Sequence, residues 1–229
     1  MASEYDKYVS AEWEMFVGDA SRARESLEAV AGLDVGRVLD LGCGAGQELL
    51  PFATELGASC VGVDVTPEVG LVGRRLFAAN APSAPVTFVR AAAELLPFDE
   101  GSFDVVICRL ALPYTDNARC LSELARVLRP GGALLLKIHH ARYYTRKLRD
   151  SLRAGELPSA VHAVRVLAAG LIYQLTGRQP RMRLPSRETF QTVTLLRREL
   201  ARRGLEIQRE LRDSNPLTPS FLISRHAPR

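Results

Sequence analysis

Three closely spaced glycines and two aspartates form the part of the sequence best suited to holding a ligand. Gly42, Gly44 and Gly46 follow an apolar stretch, and Asp40 stands two residues before the first of them. Glycine lets backbone N–H groups approach a ligand with no side chain in the way. Asp64 ends a second apolar stretch, where an acidic residue can accept hydrogen bonds from both hydroxyls of a ribose. The spacing therefore predicts a nucleotide-type ligand site.

The adjacent histidines His139 and His140 follow the last of the apolar stretches and are candidates for a general base. An imidazole titrates near neutrality, which suits proton transfer. Neighbouring side chains on a strand point to opposite faces, so we expect at most one of the two to serve. The alternative is that both only hydrogen-bond the backbone of the segment that follows. Weaker candidates on neighbouring segments are Tyr114, Asp116, Tyr143 and Tyr144.

Short apolar stretches alternate with helical patterns and must position these residues. We expect strands over residues 37–41, 59–64, 86–89, 103–108 and 133–138. Helices are expected over 47–56 and 117–128, and a further helix is expected between the second strand and about residue 80. Each strand is apolar throughout, which is typical of a parallel sheet covered by helices on both faces. A helix over 187–203, opened by Pro185 and Ser186, and two final strands over 205–211 and 221–224 are predicted to follow.

Two segments lie outside this alternation. Residues 1–34 predict an N-terminal helical cap, and residues 140–185 predict an inserted lid with a basic helix over 142–153 and an apolar helix over 159–176. An insertion at the carboxyl end of a strand in an open α/β sheet lies beside the ligand crevice. The apolar helix can line a pocket, pair with itself across a dimer or lie on a membrane surface, and we favour these in that order. We expect residues 1–229 to form a single domain.

Four ordered segments resemble the class I S-adenosylmethionine-dependent methyltransferases, of the small-molecule kind related to the quinone-biosynthesis methyltransferases. They are VLDLGCGAG at 38–46, VGVDVTPE at 61–68, AELLPFDEGSFDVV at 93–106 and LSELARVLRPGGALLL at 121–136. The resemblance implies a seven-stranded, mostly parallel Rossmann-like sheet, S-adenosyl-L-methionine as the cofactor, and methyl transfer to oxygen, nitrogen or carbon of a small molecule. The alternative is a protein of this fold that binds S-adenosylmethionine but catalyses another reaction, or a non-catalytic partner subunit.

The resemblance also implies roles for the residues at the glycine turn. The turn is expected to hold the methionine part of the cofactor, with Asp40 ordering the loop or meeting the amino group through water. Asp64 is expected to bind the ribose hydroxyls. Tyr5 or Tyr8, in the predicted N-terminal helix, is either a cap on the cofactor carboxylate or a packing aromatic.

Further roles are implied for residues after the second, third and fourth strands. Val65 is expected to pack on the adenine, Ala93 and Glu94 to flank its edge, and the backbone at Arg109 to touch the cofactor amino group. The family usually has an aspartate where this chain has Ala92. Either backbone groups recognise the adenine amino group here, or the affinity is lower.

Charge is divided unevenly along the chain, whose formal net charge is +4. Residues 1–140 carry 12 basic and 19 acidic side chains, whereas residues 141–229 carry 18 and 7. Nucleic acid is nevertheless a disfavoured partner, because residues 109–114 lack the Asn/Asp-Pro-Pro-aromatic tetrad of exocyclic-amine methyltransferases and the basic segments hold few aromatics for base stacking. We expect the positive charge to hold an anionic group of a small substrate. The candidates are Arg142, Arg146, Lys147 and Arg149.

Other classes of protein are disfavoured by single features. Gln47 stands where the dinucleotide fingerprint needs its third glycine, which disfavours an NAD-type oxidoreductase. The four scattered cysteines form no C-x-x-C pair, so we expect neither a bound metal nor a disulfide framework. The expected location is the reducing cytoplasm. The longest apolar stretch is interrupted by charged residues and too short to span a bilayer.

Overall fold

A seven-stranded sheet organises the computed structural model, which describes residues 4–180 and 187–226. The strands are β1 (Arg37–Leu41), β2 (Ser59–Asp64), β3 (Val86–Arg90), β4 (Phe103–Arg109), β5 (Leu128–Lys137), β6 (Leu205–Glu210) and β7 (Ser220–Arg225). Their order across the sheet is β3-β2-β1-β4-β5-β7-β6. In the described sheet β7 runs antiparallel to β5 and β6 on either side of it, and strands β1 to β5 are parallel. The predicted seven-stranded, mostly parallel sheet is confirmed.

Eight α-helices accompany the described sheet. They are α1 (Glu4–Gly18), α2 (Ser21–Ala29), α3 (Leu50–Glu55), α4 (Leu71–Asn80), α5 (Asn117–Val127), α6 (Ala141–Arg153), α7 (Leu157–Thr176) and α8 (Val193–Ala201). Short polar side chains cap two of them by accepting a backbone N–H that has no partner within the helix. The Asp116 carboxylate accepts the Arg119 N–H at the start of α5, and Thr192 Oγ1 accepts the Leu195 N–H at the start of α8.

The predicted helix over 187–203 is wrong in its first six residues, because α8 begins only at Val193. The preceding residues are held in non-helical geometry by tertiary hydrogen bonds. The Thr189 N–H donates to the Pro113 carbonyl at 3.0 Å, and the Gln191 N–H donates to the His139 carbonyl at 2.9 Å. These bonds attach the segment to the carboxyl ends of β4 and β5. The predicted start at residues 185–186 lies outside the described residues.

Two hydrophobic cores cover the two faces of the sheet. One contains Leu39, Val106 and Leu136 from the central strands, with Leu121 and Leu124 of α5 packed on them. The other contains the alternate strand residues, including Val38, Val105 and Leu135, packed against α1, α3 and α4. Alternation along each strand explains why neighbouring residues enter different cores. The central strands are thus buried on both faces, as a parallel sheet requires.

Helices α6 and α7 follow β5 and pack against each other. A small third core joins them to the segment before α8 through Tyr144, Val166 and Phe190. Gly170 permits this contact, since a Cβ at this position would lie 2.3 Å from Phe190 Cδ1. The pair occupies the described part of the predicted lid, and α1 and α2 occupy the described part of the predicted cap. No helix among the described residues is both long and apolar enough to cross a membrane.

Candidate functional site

A cavity of about 640 Å³ opens at the carboxyl ends of β1, β2, β4 and β5. Ligands of open α/β sheets bind at this edge, where the strand order reverses between β1 and β4. The volume lies within the roughly 300–1,000 Å³ typical of small-molecule sites. Seven of the predicted site residues line it: Gly42, Asp64, Val65, Ala93, Glu94, Arg109 and His139. The other four, Asp40, Gly44, Gly46 and His140, lie outside the wall.

The glycine turn after β1 forms the floor at one end of the cavity. Gly42 has a φ of 74°, and a Cβ on it would lie 2.4 Å from the Cβ of Ala111. Gly42 thus needs both the left-handed backbone and the absence of a side chain. Gly44 and Gly46 shape the turn without lining the cavity. The Gly44 N–H donates to Asp64 Oδ2 at 3.2 Å, and Gly46 borders the ring of Phe88.

Asp64 presents a carboxylate with unused acceptor capacity to the cavity. Oδ2 accepts the Gly44 N–H, and Oδ1 accepts the Thr66 N–H at 3.1 Å. An ionised carboxylate has about four lone-pair sites, so about two stay available for ligand hydroxyls. Val65 follows it at the rim with 64% of its surface exposed, which leaves an apolar side chain free to pack on a ligand.

Asp40 lies beneath the glycine turn rather than in the cavity wall. It is 2% exposed, and its Oδ2 has no hydrogen-bond partner in the described part of the chain. Burial, followed by the nearby charge of Glu48, raises the pKa of Asp40 well above its usual range. The neutral acid is therefore favoured under the turn.

Arg109 lines the cavity, but its guanidinium is engaged by other side chains. Nη1 lies 2.6 Å from Asp213 Oδ2, Nε lies 3.1 Å from Glu48 Oε2, and Nη2 donates to Ser26 Oγ at 3.0 Å. Lys137 Nζ also contacts Asp213 Oδ2 at 2.7 Å. Only 7% of the Arg109 side chain is exposed. What Arg109 offers a ligand is therefore its backbone.

The loop after β3 forms another wall of the cavity. Ala92 and Ala93 line it, and a bridge between Ala92 and Leu95 shapes the loop. Glu94 Oε1 accepts the Asp116 N–H at 2.7 Å, which ties this loop to the start of α5. One carboxylate oxygen of Glu94 is thus used structurally.

His139 and His140 occupy different environments. His139 is 5% exposed and lines the cavity, and its ring stacks on Tyr143 with centroids 4.2 Å apart. Burial lowers the pKa of His139 to about 4, so its imidazole is neutral near pH 7. His140 instead caps α6, with Nδ1 accepting the Arg142 N–H at 3.3 Å. The structure thus brings only one of the two histidines to the cavity.

Sequence reasoning missed several residues of this region. Leu110 lines the cavity with a φ of 63°, a conformation that is uncommon outside glycine. Thr218 reaches the wall from the loop between β6 and β7. Glu188 lies behind His139, in a stretch that the pattern predicted to be helical. No local signal marks these three, because contacts between distant segments bring Leu110 and Thr218 to the cavity wall and Glu188 to Tyr144 behind it.

Comparisons with known proteins agree with this architecture. Residues 39–136 match the family model of the methyltransferase domain. The chain is 41% identical over 106 residues to an uncharacterized methyltransferase, YcgJ, of Bacillus subtilis (strain 168), a match that covers 46% of this chain and 41% of that protein. It is 36% identical over 104 residues to the ubiquinone/menaquinone biosynthesis C-methyltransferase UbiE of Geobacter sp. (strain M21), which covers 44% of each.

The likeness extends to a solved structure. The crystal structure of Bacillus subtilis YcgJ aligns with a TM-score of 0.61 at 21% identity and covers 92% of this chain and 100% of that chain. In sequence, the matches span less than half the length of the two curated relatives. Residues 39–136 thus match a methyltransferase domain, and the fold of the solved relative extends over most of the chain.

Proposed function

We propose that the protein transfers a methyl group from S-adenosylmethionine to a small-molecule acceptor. The observation that carries the proposal is one continuous cavity with two chemically different ends. Gly42 and Asp64 line one end, and His139 and Tyr143 line the other. A cofactor held at the first end would therefore share one cavity with an acceptor at the second.

The residues at the first end fit S-adenosylmethionine. Gly42 leaves backbone exposed where any Cβ would collide with Ala111. Asp64 has acceptor capacity for two ribose hydroxyls, and exposed Val65 offers an apolar surface for the adenine. When bound, S-adenosylmethionine supplies an electrophilic methyl group, and the electron pair of the broken C–S bond stays on sulfur.

The residues at the second end would align the acceptor and take its proton. The neutral imidazole of His139 can accept a proton from a hydroxyl, an amine or an activated carbon, whose electron pair then forms the bond to the methyl carbon. Burial keeps water from competing for this base. Alignment and desolvation supply most of the acceleration that such a displacement needs.

The wall around His139 favours an aromatic acceptor. Tyr8, Tyr114 and Tyr143 all line the cavity, and planar rings stack on or pack edgewise against such side chains. The basic residues predicted to hold an anionic group do not line it. Arg146 and Arg149 are instead exposed and face Asp150 at 3.5 Å. An uncharged aromatic acceptor is therefore the preferred substrate class.

A second candidate function is S-adenosylmethionine binding without methyl transfer. It is favoured by Ala92, which faces the cavity where the family usually has an aspartate. The two candidates separate in an assay with S-adenosylmethionine labelled in the methyl group. Label transferred to members of a panel of phenols, amines and quinols supports the methyltransferase, whereas binding without any transfer supports the second candidate.

We also propose a homodimer formed through α7 and a location in the cytoplasm. The surface of α7 carries a stripe of exposed apolar residues: Leu157, Val161, Val164, Leu171 and Leu175. Successive members of the stripe are three, four or seven residues apart, which is the repeat of helices that pair along their length. The four cysteines are free thiols, which supports a reducing compartment.

Calorimetric titration tests the cofactor site. We expect S-adenosylmethionine and S-adenosylhomocysteine to bind and NAD not to bind. Asp64→Ala removes the carboxylate that would hold the ribose, so we expect binding weakened by at least about tenfold, as for lost hydrogen bonds to a charged group. Asp150→Ala, which removes an exposed carboxylate on α6, is the matched control and should bind normally. Unchanged affinity in Asp64→Ala would contradict the assigned site.

A further inference from the structure

A chain of polar side chains continues from His139 into the protein interior. His139 Nδ1 lies 3.1 Å from the hydroxyl of Tyr144, and that hydroxyl donates to Glu188 Oε1 at 2.5 Å. Glu188 Oε2 lies 2.8 Å from His162 Nε2 on α7. Tyr144 is fully buried and Glu188 is 7% exposed, whereas His162 reaches the surface. The chain thus links the cavity to the lid helices.

The donor and acceptor roles along this chain follow from its chemistry. A phenol has a single proton, and a carboxylate can only accept. The short contact between Tyr144 and Glu188 therefore uses the hydroxyl proton. Burial raises the pKa of Tyr144, and the hydrogen bond to Glu188 adds to this effect, so the phenol keeps its proton. The Tyr144 oxygen can then only accept from His139, which requires the proton of a neutral His139 to be on Nδ1.

A proton on Nδ1 leaves the lone pair of a neutral imidazole on Nε2. Nε2 is the ring nitrogen left for the cavity, because Nδ1 is engaged with a buried side chain. When Nε2 takes a proton, the resulting positive charge is compensated by Glu188 through the Tyr144 hydroxyl. This is how a buried carboxylate orients a histidine base and stabilises its charged form in other enzymes.

We propose that Tyr144, Glu188 and His162 are positioning residues that hold His139 with its Nε2 lone pair toward the methyl acceptor. The inference deepens the proposed function and rests on it. Tyr144 sets the tautomer, Glu188 supplies the compensating charge, and His162 holds the second carboxylate oxygen. Tyr144 lies on α6, His162 lies on α7, and Glu188 lies in the segment before α8. Both inserted helices thus contribute residues that position His139.

The histidine tautomer can be measured without knowing the acceptor. Long-range ¹H–¹⁵N correlation spectra distinguish protonated from unprotonated ring nitrogens, and the chain has only four histidines to assign. At pH 7 we expect His139 to be protonated on Nδ1 alone. In Tyr144→Phe and in Glu188→Gln we expect a mixture of the two tautomers. A wild-type His139 protonated on Nε2, or an unchanged Nδ1–H state in both variants, would overturn the inference.

Tyr173→Phe is the matched control for Tyr144→Phe. Tyr173 is also a buried lid tyrosine, but its hydroxyl has no hydrogen-bond partner among the described residues. We expect this variant to keep the His139 tautomer of the wild type. If Glu188→Gln fails to fold, Tyr144→Phe still tests the chain, because it removes one hydroxyl and keeps the ring that packs on Val166 and Phe190.

Turnover provides a second measurement once an acceptor is found. In Tyr144→Phe we expect kcat to fall about ten- to a hundredfold, part of what a general base contributes, with the KM for S-adenosylmethionine unchanged. A normal kcat in Tyr144→Phe and Glu188→Gln would overturn the positioning role. Failure of the proposed function is a separate result, since it would be seen as absent S-adenosylmethionine binding in calorimetry with the His139 tautomer intact.

Discussion

The behaviour of His139 is decided by the side chains that enclose it. Burial lowers its pKa to about 4 from an ordinary value of 6.5, with the charge of Glu188 opposing the shift and that of Lys147 adding to it. A buried histidine of this kind is a neutral proton acceptor across the physiological pH range. The groups that face it are Tyr114, Tyr143, Tyr144, Lys147 and Glu188.

We predict an acid limit of activity well below the ordinary histidine range. The base that we propose acts only when His139 is unprotonated, so kcat/KM should fall as the pH drops through about 4 and stay level through 6.5. The same depressed pKa means that folding stability decreases as the pH falls from about 6.5 towards 4, where the unfolded chain binds the additional proton. A pH profile of the labelled-methyl assay checks the limit. A midpoint near 6.5 would show that His139 is not the base.

A second prediction at the residue scale concerns Gly42. Gly42→Ala introduces a Cβ that would lie 2.4 Å from Ala111, at a φ of 74°. We expect a stability loss of about 2–4 kcal/mol, from overpacking together with left-handed backbone strain, and weaker S-adenosylmethionine binding. Urea denaturation and calorimetry provide the two measurements.

Gly57→Ala separates the two causes. Gly57 also has a positive φ, 64°, but a Cβ there meets nothing within 4 Å. This control should lose only the backbone contribution, about 1–2 kcal/mol, with normal ligand binding. Equal losses in the two variants would mean that the close approach to Ala111 is unimportant.

At the scale of elements, an ion cluster joins the ends of β4 and β5 to α2, to the short helix after the glycine turn and to the loop between β6 and β7. Arg109 at the end of β4 and Lys137 at the end of β5 share Asp213, which lies in the loop between β6 and β7. Arg109 also binds Ser26 of α2 and Glu48 of the short helix after the glycine turn. The cluster therefore fixes the backbone of β4 at the point where it enters the cavity wall.

Asp213→Asn tests the cluster. Burial would raise the pKa of Asp213, but Arg109 and Lys137 outweigh burial and lower it. The carboxylate thus stabilises the fold above its ordinary value of 3.8, and this contribution is lost as the pH falls below that value. At pH 7 we expect the variant to lose about 1.5–3 kcal/mol in urea denaturation, as for lost hydrogen bonds between a partly buried carboxylate and charged groups. Asp150→Asn changes an exposed residue of α6 and should alter stability by less than about 0.5 kcal/mol. Equal midpoints for both variants would contradict the prediction.

At the scale of the whole molecule, one apolar side of α7 is buried in the protein and the other is exposed. One side packs Ala163, Val166 and Tyr173 into the protein. The other side presents the exposed stripe from Leu157 to Leu175, whose large residues are each at least half exposed. Continuous apolar surface of this kind is typical of interfaces.

We expect the protein to be a dimer and Val164→Glu to make it a monomer. A charge in the middle of the stripe would have to be desolvated when two copies of α7 pair. Sedimentation velocity measures the change in mass. Leu56→Glu, an exposed apolar residue at the end of α3, is the control and should stay dimeric. A wild-type chain that sediments as a monomer at all concentrations would refute the dimer.

Local sequence was sufficient to predict the strands and to place Gly42 and Asp64 at one edge of the sheet. Gly42 and Asp64 could be predicted because a strand, a turn and the next strand end are encoded by neighbouring residues, and parallel strands place their carboxyl ends at one edge. The apolar runs likewise predicted the sheet. The extended stretch before α8 could not be predicted, since its hydrogen bonds go to Pro113 and His139, far away in sequence.

The sequence by itself thus determined the fold class and the glycine turn, while the tertiary structure decided the chemistry at the other end of the cavity. Only the folded chain shows that His139 enters the cavity and His140 caps a helix. Only the fold brings Glu188 behind Tyr144, across 44 residues. The physical reason is that a base depends on burial and on partners from other elements, and neither is written in the residues next to it.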